Sequence, residues 1–291
     1  MDRLSVGDVR LVRIHEMVDT SFTATEFFPD YDAATFESHL DRLAPLHYDV
    51  SRGSLILSVH SWLVRTARHT VLIDTCVGND KERLPRAHWH RLDTSFLGRL
   101  REAGAEPEDI DYVMCTHMHA DHVGWNTMLS DGRWVPTFPN ARYLFGRIEY
   151  EHWINHPASS PLRRNAFEDS VLPIVAAHQA VMMEDGHQVD DDFTVQLAPG
   201  HTPGNLSIFL TSAGAEAVFV GDTIHHPIQI YEPAWSTFAC TDPIAAVASR
   251  RRVLEHCSER SSLMLPAHFC PPHAGHVRRK GDGFTFDWLS S

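Results

Sequence analysis

Alternation of apolar and polar residues along the chain predicts its first strands, over 8–18, 54–66 and 70–75. Apolar runs predict later strands at 141–146, around 193–198, at 206–210, 217–221 and 262–268, and a terminal hairpin after 277. Helical spacing predicts helices over 93–104, from 147, around 162–178 and over 243–258. Mixed strands and helices of this kind predict an α/β (α+β) protein.

The segment 20–50 is polar, is interrupted by aromatic residues and separates the first two strands. We predict a long loop with one short helix, and loops of this length are often functional lids. Phe27, Phe28 and Tyr31 favour a segment that caps a pocket, although they could equally fill a core edge. No other shift of composition marks a linker, so we predict a single domain over 1–291, in which two similar halves could meet near 150–180.

Composition excludes several classes of protein. The chain has 291 residues, of which 43% are hydrophobic, and a formal net charge of −13. A nucleic-acid-binding protein would be basic, so we expect no such partner. We see neither a signal peptide nor an apolar run long enough to span a membrane. The five cysteines are widely spaced, which is typical of reduced, buried thiols in a cytoplasmic protein.

The densest chemistry lies in "CTHMHADHVGWN", residues 115–126, directly after a short apolar run. His117 and His119 alternate in an extended chain, so their side chains point the same way and can reach one metal ion. Asp121 and His122 follow in a turn or at the start of a helix, and can reach a neighbouring position. The whole HxHxDH string is much more specific than an HxH pair.

Three further ligand-type residues follow apolar strands. His201 lies in "APGHTPGN", where glycine and proline predict a rigid turn that exposes the imidazole. Asp222 in "VFVGDT" follows a buried strand, where a carboxylate must be paired, hydrogen-bonded or bound to a metal. His268 in "MLPAHF" has the same setting.

From "VLIDTCVG" through "CTHMHADH", "PGHTPG", "GDT" and "PAH", the chain resembles the metallo-β-lactamase superfamily. The resemblance implies a four-layer αββα sandwich with two metal ions. It implies that His117, His119 and His201 bind one ion and that Asp121, His122 and His268 bind the other, with Asp222 bridging them. Asp74, in "LIDTC", matches an aspartate of the family, and we expect it to orient the metal-binding loop.

The reaction follows from the resemblance. Two divalent ions roughly 3.5–4 Å apart lower the pKa of a shared water, so that a metal-bound hydroxide forms at neutral pH. Asp121 is placed to take or relay a proton. Histidine and carboxylate ligands suit zinc, which we expect here, and also manganese, iron or cobalt.

Within the superfamily, the stretch from "THMHADHVGWN" to "YEHW" looks most similar to the lactonase-like branch, which includes N-acyl-homoserine lactonases and methyl-parathion-hydrolase-type enzymes. Many acyl-homoserine lactonases have a tyrosine three residues after the bridging aspartate, where this chain has His225. An imidazole there could act as a general acid or stabilise an oxyanion, or it could be a packing residue. The resemblance makes four aromatic residues candidate pocket walls, with core packing as the alternative: Phe28, Trp125, Trp134 and Trp235.

We therefore expect a dinuclear metal-dependent hydrolase that opens a lactone or cleaves an ester of a small, moderately apolar molecule. Alternatives of the same class are an organophosphate or aryl-ester hydrolase, a thioesterase and a promiscuous β-lactamase. Alternatives of other classes are a mononuclear-iron dioxygenase and a silent ligand-binding protein, whose signature would be broken metal ligands. Related enzymes often form homodimers, so a homodimer is also considered.

Overall fold

A computed structural model describes residues 3–156 and 160–290. Its strands, in chain order, are β1 (Arg3–Val6), β2 (Val9–Asp19), β3 (Tyr48–Asp49), β4 (Ser54–Leu55), β5 (Leu57–Arg65), β6 (Thr70–Ile73), β7 (Tyr112–Met114), β8 (Thr127–Ser130), β9 (Arg133–Pro136), β10 (Arg142–Gly146), β11 (Ala180–Met183), β12 (Gln188–Val189), β13 (Phe193–Leu197), β14 (Leu206–Ser212), β15 (Ala215–Gly221), β16 (Leu263–Pro266), β17 (Gly275–Lys280) and β18 (Gly283–Trp288). Its α-helices are α1 (Ala24–Phe27), α2 (Ala33–Glu37), α3 (Leu40–Leu43), α4 (Phe96–Glu102), α5 (Ala120–Val123), α6 (Arg147–Asn155), α7 (Pro161–Ser170), α8 (Leu172–Ala176), α9 (Ile228–Tyr231) and α10 (Pro243–Arg260).

The chain forms two compact units, one of residues 1–17 and 59–187 and the other of residues 18–58 and 188–291. The division after 187 lies later than the 150–180 region in which we expected two halves to meet. In addition, 18–58 belongs to the second unit, although it precedes most of the first in sequence. The single domain over 1–291 stays a prediction.

The first unit contains a seven-stranded sheet in the order β1-β2-β5-β6-β7-β10-β11. Strand β7 runs parallel to both of its neighbours, β6 and β10. The carboxyl ends of these three strands therefore share one edge of the sheet, where ligand sites of parallel sheets usually form. The core beneath is apolar and includes Leu72, Val113 and Phe145, all at most 1% exposed.

The second unit contains a seven-stranded sheet in the order β12-β13-β14-β15-β16-β17-β18. Only β15 and β16 pair in parallel; the other neighbours are antiparallel. As in the first unit, parallel pairing brings two carboxyl ends together, and Asp222 and His268 follow those ends. The long helix α10 packs on β15 and β17 through buried residues such as Val253 and Leu254.

Two sequence predictions need correction. The segment 20–50 contains three short helices and β3, where we predicted a loop with one helix. Helices of four or five residues are too short to show a periodic pattern. The helix expected around 162–178 is two helices, α7 and α8, because Pro173 near the start of α8 cannot donate a helical hydrogen bond to the preceding turn.

The aromatic residues of 20–50 pack in the core of the second unit. Phe27, Phe28 and Phe36 are at most 4% exposed and cluster with Trp235. These contacts favour the core-edge interpretation of the segment over a lid. None of the five cysteines forms a disulfide; four of them are buried, and Cys240 is half-buried. Among the described residues, no helix is long and apolar enough to cross a membrane.

Candidate metal centre

In the first unit, the candidate ligands leave the carboxyl edge of β7. Residues 115–119 extend from the strand, and the four-residue helix α5 then carries Asp121 and His122. The rings of His117 and His122 lie with centroids 4.1 Å apart, and those of His117 and His119 lie 4.7 Å apart. The structure thus brings the three imidazoles of HxHxDH together, as alternation followed by a helix start predicts.

Asp74 holds this loop from the end of the neighbouring strand β6. Its Oδ1 accepts the Thr116 backbone N–H at 2.7 Å, and its Oδ2 accepts the Thr116 hydroxyl at 2.9 Å. Nδ1 of His122 lies 2.9 Å from the same Oδ2. Asp74 is 3% exposed and has a φ of 54°, a left-handed conformation that aspartate tolerates better than most residues. Asp74 thus contacts the loop that we predict to bind metal, and its role in orienting that loop stays a prediction.

The loop after Asp74 supports α5 through its backbone. The Thr75 N–H donates to the His122 carbonyl at 2.8 Å, and the Trp125 N–H donates to the Thr75 carbonyl at 2.8 Å. Gly124 is required here, because a Cβ atom at that position would lie 1.8 Å from the Val77 carbonyl oxygen. Backbone contact between the two loops therefore fixes where α5 ends.

A buried glutamate that sequence analysis missed contacts the same stretch. Oε1 of Glu149, on α6, accepts the Met118 backbone N–H at 3.1 Å and the Trp153 indole N–H at 2.7 Å. Met118 lies between the two histidines of the HxH pair, so Glu149 fixes the backbone that carries both. The signal in the sequence is weak, since Glu149 is one of several acidic residues of a helix whose buried side cannot be identified from "RIEYEHWI" alone.

In the second unit, His201 lies in the turn between β13 and β14. The turn approaches α10 so closely that a Cβ on Gly200 would lie 2.0 Å from the Ala246 backbone nitrogen. Gly200 also has a φ of 132°, and its N–H donates to the Thr202 carbonyl. The His201 carbonyl accepts the Thr241 N–H at 3.0 Å. The "PGHTPG" stretch thus forms a turn held by hydrogen bonds, but the prediction that this turn exposes the imidazole is wrong, because His201 is buried at 2% exposed.

Asp222 contacts three histidines of the second unit. Its Oδ1 lies 3.0 Å from Nε2 of His268. Its Oδ2 lies 3.2 Å from Nε2 of His201 and 3.0 Å from Nε2 of His225. The two oxygens therefore face different predicted ligands, an arrangement that suits a bridging carboxylate.

His225 is buried, 4% exposed, in the loop that follows Asp222. Gln229 holds its backbone, since the side-chain oxygen accepts the His225 N–H at 2.7 Å. Burial lowers the pKa of His225 and outweighs the neighbouring Asp222 carboxylate, which raises that pKa. The ring is also packed edge-on against Phe27, with centroids 5.7 Å apart.

The seven predicted ligands are divided between the two units. His117, His119, Asp121 and His122 belong to the first unit, and His201, Asp222 and His268 belong to the second. Within each unit these side chains lie close together. The roles of the residues as ligands, and their division between two ions, stay a prediction.

The hydrogen bonds of the predicted histidine ligands are compatible with metal binding. Nδ1 of His122 contacts Asp74, Nδ1 of His268 lies 2.9 Å from the Ser58 carbonyl oxygen, and Nδ1 of His117 lies 3.2 Å from the Thr116 hydroxyl. Metal-bound histidines in proteins have this arrangement, in which one nitrogen is held by the protein and the other binds the ion. Nε2 is therefore the nitrogen of each ring that can act as a ligand.

The four aromatic residues predicted as pocket walls have mainly packing contacts. Phe28 and Trp235 lie in the aromatic core cluster of the second unit, and Trp125 stacks on Phe96 at 5.3 Å. Trp134 is half-buried and covers the Lys81 ammonium group, which lies 3.5 Å from its ring centroid. These contacts favour core packing, which was the alternative interpretation, and substrate contact by these residues remains a prediction.

The family model described as the metallo-beta-lactamase superfamily matches residues 56–282, so the chain belongs to this superfamily. As predicted, it has the metallo-β-lactamase fold, a mixed α/β fold with two sheets.

Similar proteins include lactonases. The N-acyl homoserine lactonase AiiA of Bacillus thuringiensis subsp. kurstaki is 24% identical over 231 residues, which cover 74% of this chain and 83% of that protein. The solved structure of AidC, a dizinc quorum-quenching lactonase, matches with a TM-score of 0.82 at 23% identity, over 100% of this chain and 97% of that one. The hydrolase AbOPH matches with a TM-score of 0.84 at 23% identity, over 99% of this chain and 97% of that one.

Proposed function

We propose that this protein is a dinuclear metal-dependent hydrolase that opens the lactone ring, or cleaves the ester bond, of a small and moderately apolar molecule. The observation that carries the proposal is the clustering of histidine and aspartate side chains within each unit, where the rings of His117, His119 and His122 lie together and Asp222 contacts His201 and His268. The relatives named as N-acyl homoserine lactonases support a lactone as the substrate. The substrate would be a small molecule, with no role for nucleic acid or a membrane.

In this proposal His117, His119 and His201 hold one ion, Asp121, His122 and His268 hold the second, and Asp222 contacts both. Zinc is the proposed metal, because nitrogen and carboxylate ligands in sets of three or four suit it well. When bound, two such ions supply an activated water and polarise the carbonyl oxygen of the substrate.

The remaining chemistry belongs to side chains of the chain itself. Asp121 is the more exposed of the two predicted aspartate ligands, since its side chain is 12% exposed and that of Asp222 is 5% exposed. Its Oδ2 lies 3.7 Å from Nε2 of His122. We assign to it the acceptance and relay of a proton. Nε2 of His225 lies beside Asp222 and is assigned the donation of a hydrogen bond or proton to the leaving oxygen.

The test combines metal analysis with a hydrolysis panel on the purified chain. We expect two zinc ions per chain and the highest kcat/KM on lactones, compared with aryl esters, phosphotriesters, thioesters and a β-lactam. His119→Ala should lose at least one ion and most of the activity. One iron per chain would favour a dioxygenase instead, and wild-type rates in His119→Ala on every substrate would contradict a metal-dependent mechanism.

Two further proposals concern location and assembly. Cysteines stay without disulfide bonds in a reducing compartment, so the five cysteines, none of which forms a disulfide, support a cytoplasmic protein. A homodimer is proposed because related enzymes often form homodimers. Light scattering on the purified chain would test this proposal.

A further inference from the structure

We infer that Glu16 is a positioning residue for one of the two proposed metal sites, the one that contains Asp121 and His122. The inference rests on the proposed function, since it assigns a role toward that metal centre. Glu16 lies on β2, far from the histidine motif in sequence, and no step of the proposed reaction uses it.

Glu16 is a buried residue of β2. Val9, Leu11, Ile14 and Glu16 are the buried residues of the strand up to that point, and Glu16 is 3% exposed. A carboxylate at such a position is costly unless its oxygens accept hydrogen bonds. Burial indeed raises the pKa of Glu16, whereas the hydrogen bonds around it act in the opposite direction.

Four donors converge on this carboxylate. Oε2 accepts the Val77 backbone N–H at 2.7 Å. Oε1 accepts the Trp125 indole N–H at 2.6 Å, the Gly78 N–H at 3.2 Å and the Thr94 hydroxyl at 3.4 Å. Because all four groups donate, the site suits the ionised carboxylate, which only accepts.

These donors belong to the two segments that support α5. Val77 and Gly78 end the loop that starts at Asp74, and Trp125 follows His122 by three residues. A Cβ on Gly78 would lie 2.8 Å from the Gly124 carbonyl, so the two segments touch at the point where Glu16 holds both. One carboxylate therefore joins the loop and the residue after the helix, and any displacement of either moves Asp121 and His122.

The HxH histidines have a separate support. The backbone between His117 and His119 is held by Glu149 on α6, through the Met118 N–H. Loss of Glu16 should thus affect the Asp121 and His122 site more than the other. A carboxylate that only stabilised the core would not discriminate between the two sites.

Glu16→Gln is the informative variant, because it preserves size but sets an amide NH2 group against the Val77 N–H or against the donors at Oε1. Glu216→Gln is the matched control, since Glu216 is a partly buried carboxylate that accepts from His256 and Ser262 in the second unit. Trp125→Phe removes the indole donor and keeps an aromatic ring against Phe96, which provides a second variant if Glu16→Gln does not fold.

The experiment is a zinc titration of each metal-free protein against a competing chelator, which resolves the two binding steps. We expect one step to weaken about 10- to 100-fold in Glu16→Gln, by less in Trp125→Phe, with the other step unchanged and Glu216→Gln equal to the wild type. Equal weakening of both steps, or none, would overturn the inference. A wild type that binds fewer than two ions would instead contradict the proposed function.

Discussion

Nε2 of His225 lies 3.0 Å from Oδ2 of Asp222, and the edge of the same imidazole packs against Phe27. The ring is thus fixed on both sides, beside the carboxylate proposed to bridge the metals. Asp222 also faces His201 and His268 through the same pair of oxygens. A buried imidazole with this orientation can serve the reaction without serving as a ligand.

His225→Phe should therefore lower kcat while leaving the metal content intact. Phenylalanine keeps the packing against Phe27 but removes the donor nitrogen, and the loss of one acid or oxyanion donor costs about 100-fold. Steady-state kinetics on the best substrate of the panel and metal analysis measure both effects. His225→Tyr is the companion variant, because it restores a donor and should regain part of the rate. An unchanged kcat in His225→Phe would show that His225 is a packing residue.

Asp74→Asn should weaken metal binding about 10- to 100-fold. An amide NH2 group at the Oδ2 position would face Nδ1 of His122, so that ring would have to accept there and carry its proton on Nε2, the nitrogen proposed to bind the ion. Asparagine tolerates the left-handed backbone of this position, which limits the damage to the fold. Competition with a zinc chelator measures the effect.

Asp80→Asn is the control for that experiment. Asp80 is an exposed aspartate with a φ of 64° in the same region of the chain, and it should bind metal like the wild type. If Asp74→Asn also bound metal like the wild type, Asp74 would only stabilise the loop.

The ligands and their supports differ in how far the sequence predicts them. His201, Asp222 and His268 follow apolar strands, and HxHxDH follows β7, so pattern and spacing identify them locally. Glu16 and Trp125 are 109 residues apart and Glu149 and Met118 are 31 apart, and no local pattern connects such pairs. The alternation of β2 does not predict the burial of Glu16 either, because the buried positions shift in phase from Val9 and Leu11 to Ile14 and Glu16.

The sequence pattern also predicts only part of the fold. Long alternating or apolar runs predicted most strands of both sheets, whereas the hairpin of β8 and β9 was missed, because only one of its eight strand residues, Thr127, is buried. The family resemblance makes Trp134 in that hairpin a candidate pocket wall. Its contact is with Lys81, a buried lysine whose position depends on Asp169 in α7, and only the folded chain brings the three together.

Glu149→Leu should weaken the metal site of His117 and His119. The substitution leaves the buried Met118 N–H without its acceptor, at a cost of about 1–3 kcal/mol, so the backbone between the two histidines should shift. Glu149→Gln keeps an acceptor oxygen and should restore most of the affinity. Zinc titration of both variants measures this. Equal affinities in the leucine and glutamine variants would show that the acceptor does not position the histidines.

The protein should lose stability in acid partly through His226. Its Nδ1 accepts the Ile228 N–H, and its Nε2 donates to the His47 carbonyl, so the folded state requires the neutral ring. Burial lowers the pKa of His226 from 6.5 to about 4. Between pH 6.5 and pH 4 the unfolded chain therefore binds one more proton than the folded chain. As the pH falls through this range, the free energy of unfolding should decrease by about 1.4 kcal/mol per pH unit.

Above pH 6.5 this contribution should be constant, because the ring is neutral in both states. Urea unfolding of the metal-free chain at several pH values from 4 to 7.5 measures the slope. His226→Gln lacks the titrating group and should show a slope smaller by one proton. Identical slopes in the two proteins would mean that His226 does not titrate on unfolding.

Phe28→Ala should destabilise the protein and leave its choice of substrate unchanged. Phe28 is fully buried, with ring centroids 5.0 Å from Phe27 and 5.6 Å from Trp235, and replacing a core phenylalanine by alanine costs about 3–5 kcal/mol. Phe238→Ala is the control, since that ring is 48% exposed and should cost little stability. Urea unfolding and the ratio of kcat/KM for long and short acyl lactones separate the two effects. If Phe28→Ala had normal stability but an altered ratio of kcat/KM for long and short acyl lactones, Phe28 would instead line the substrate pocket.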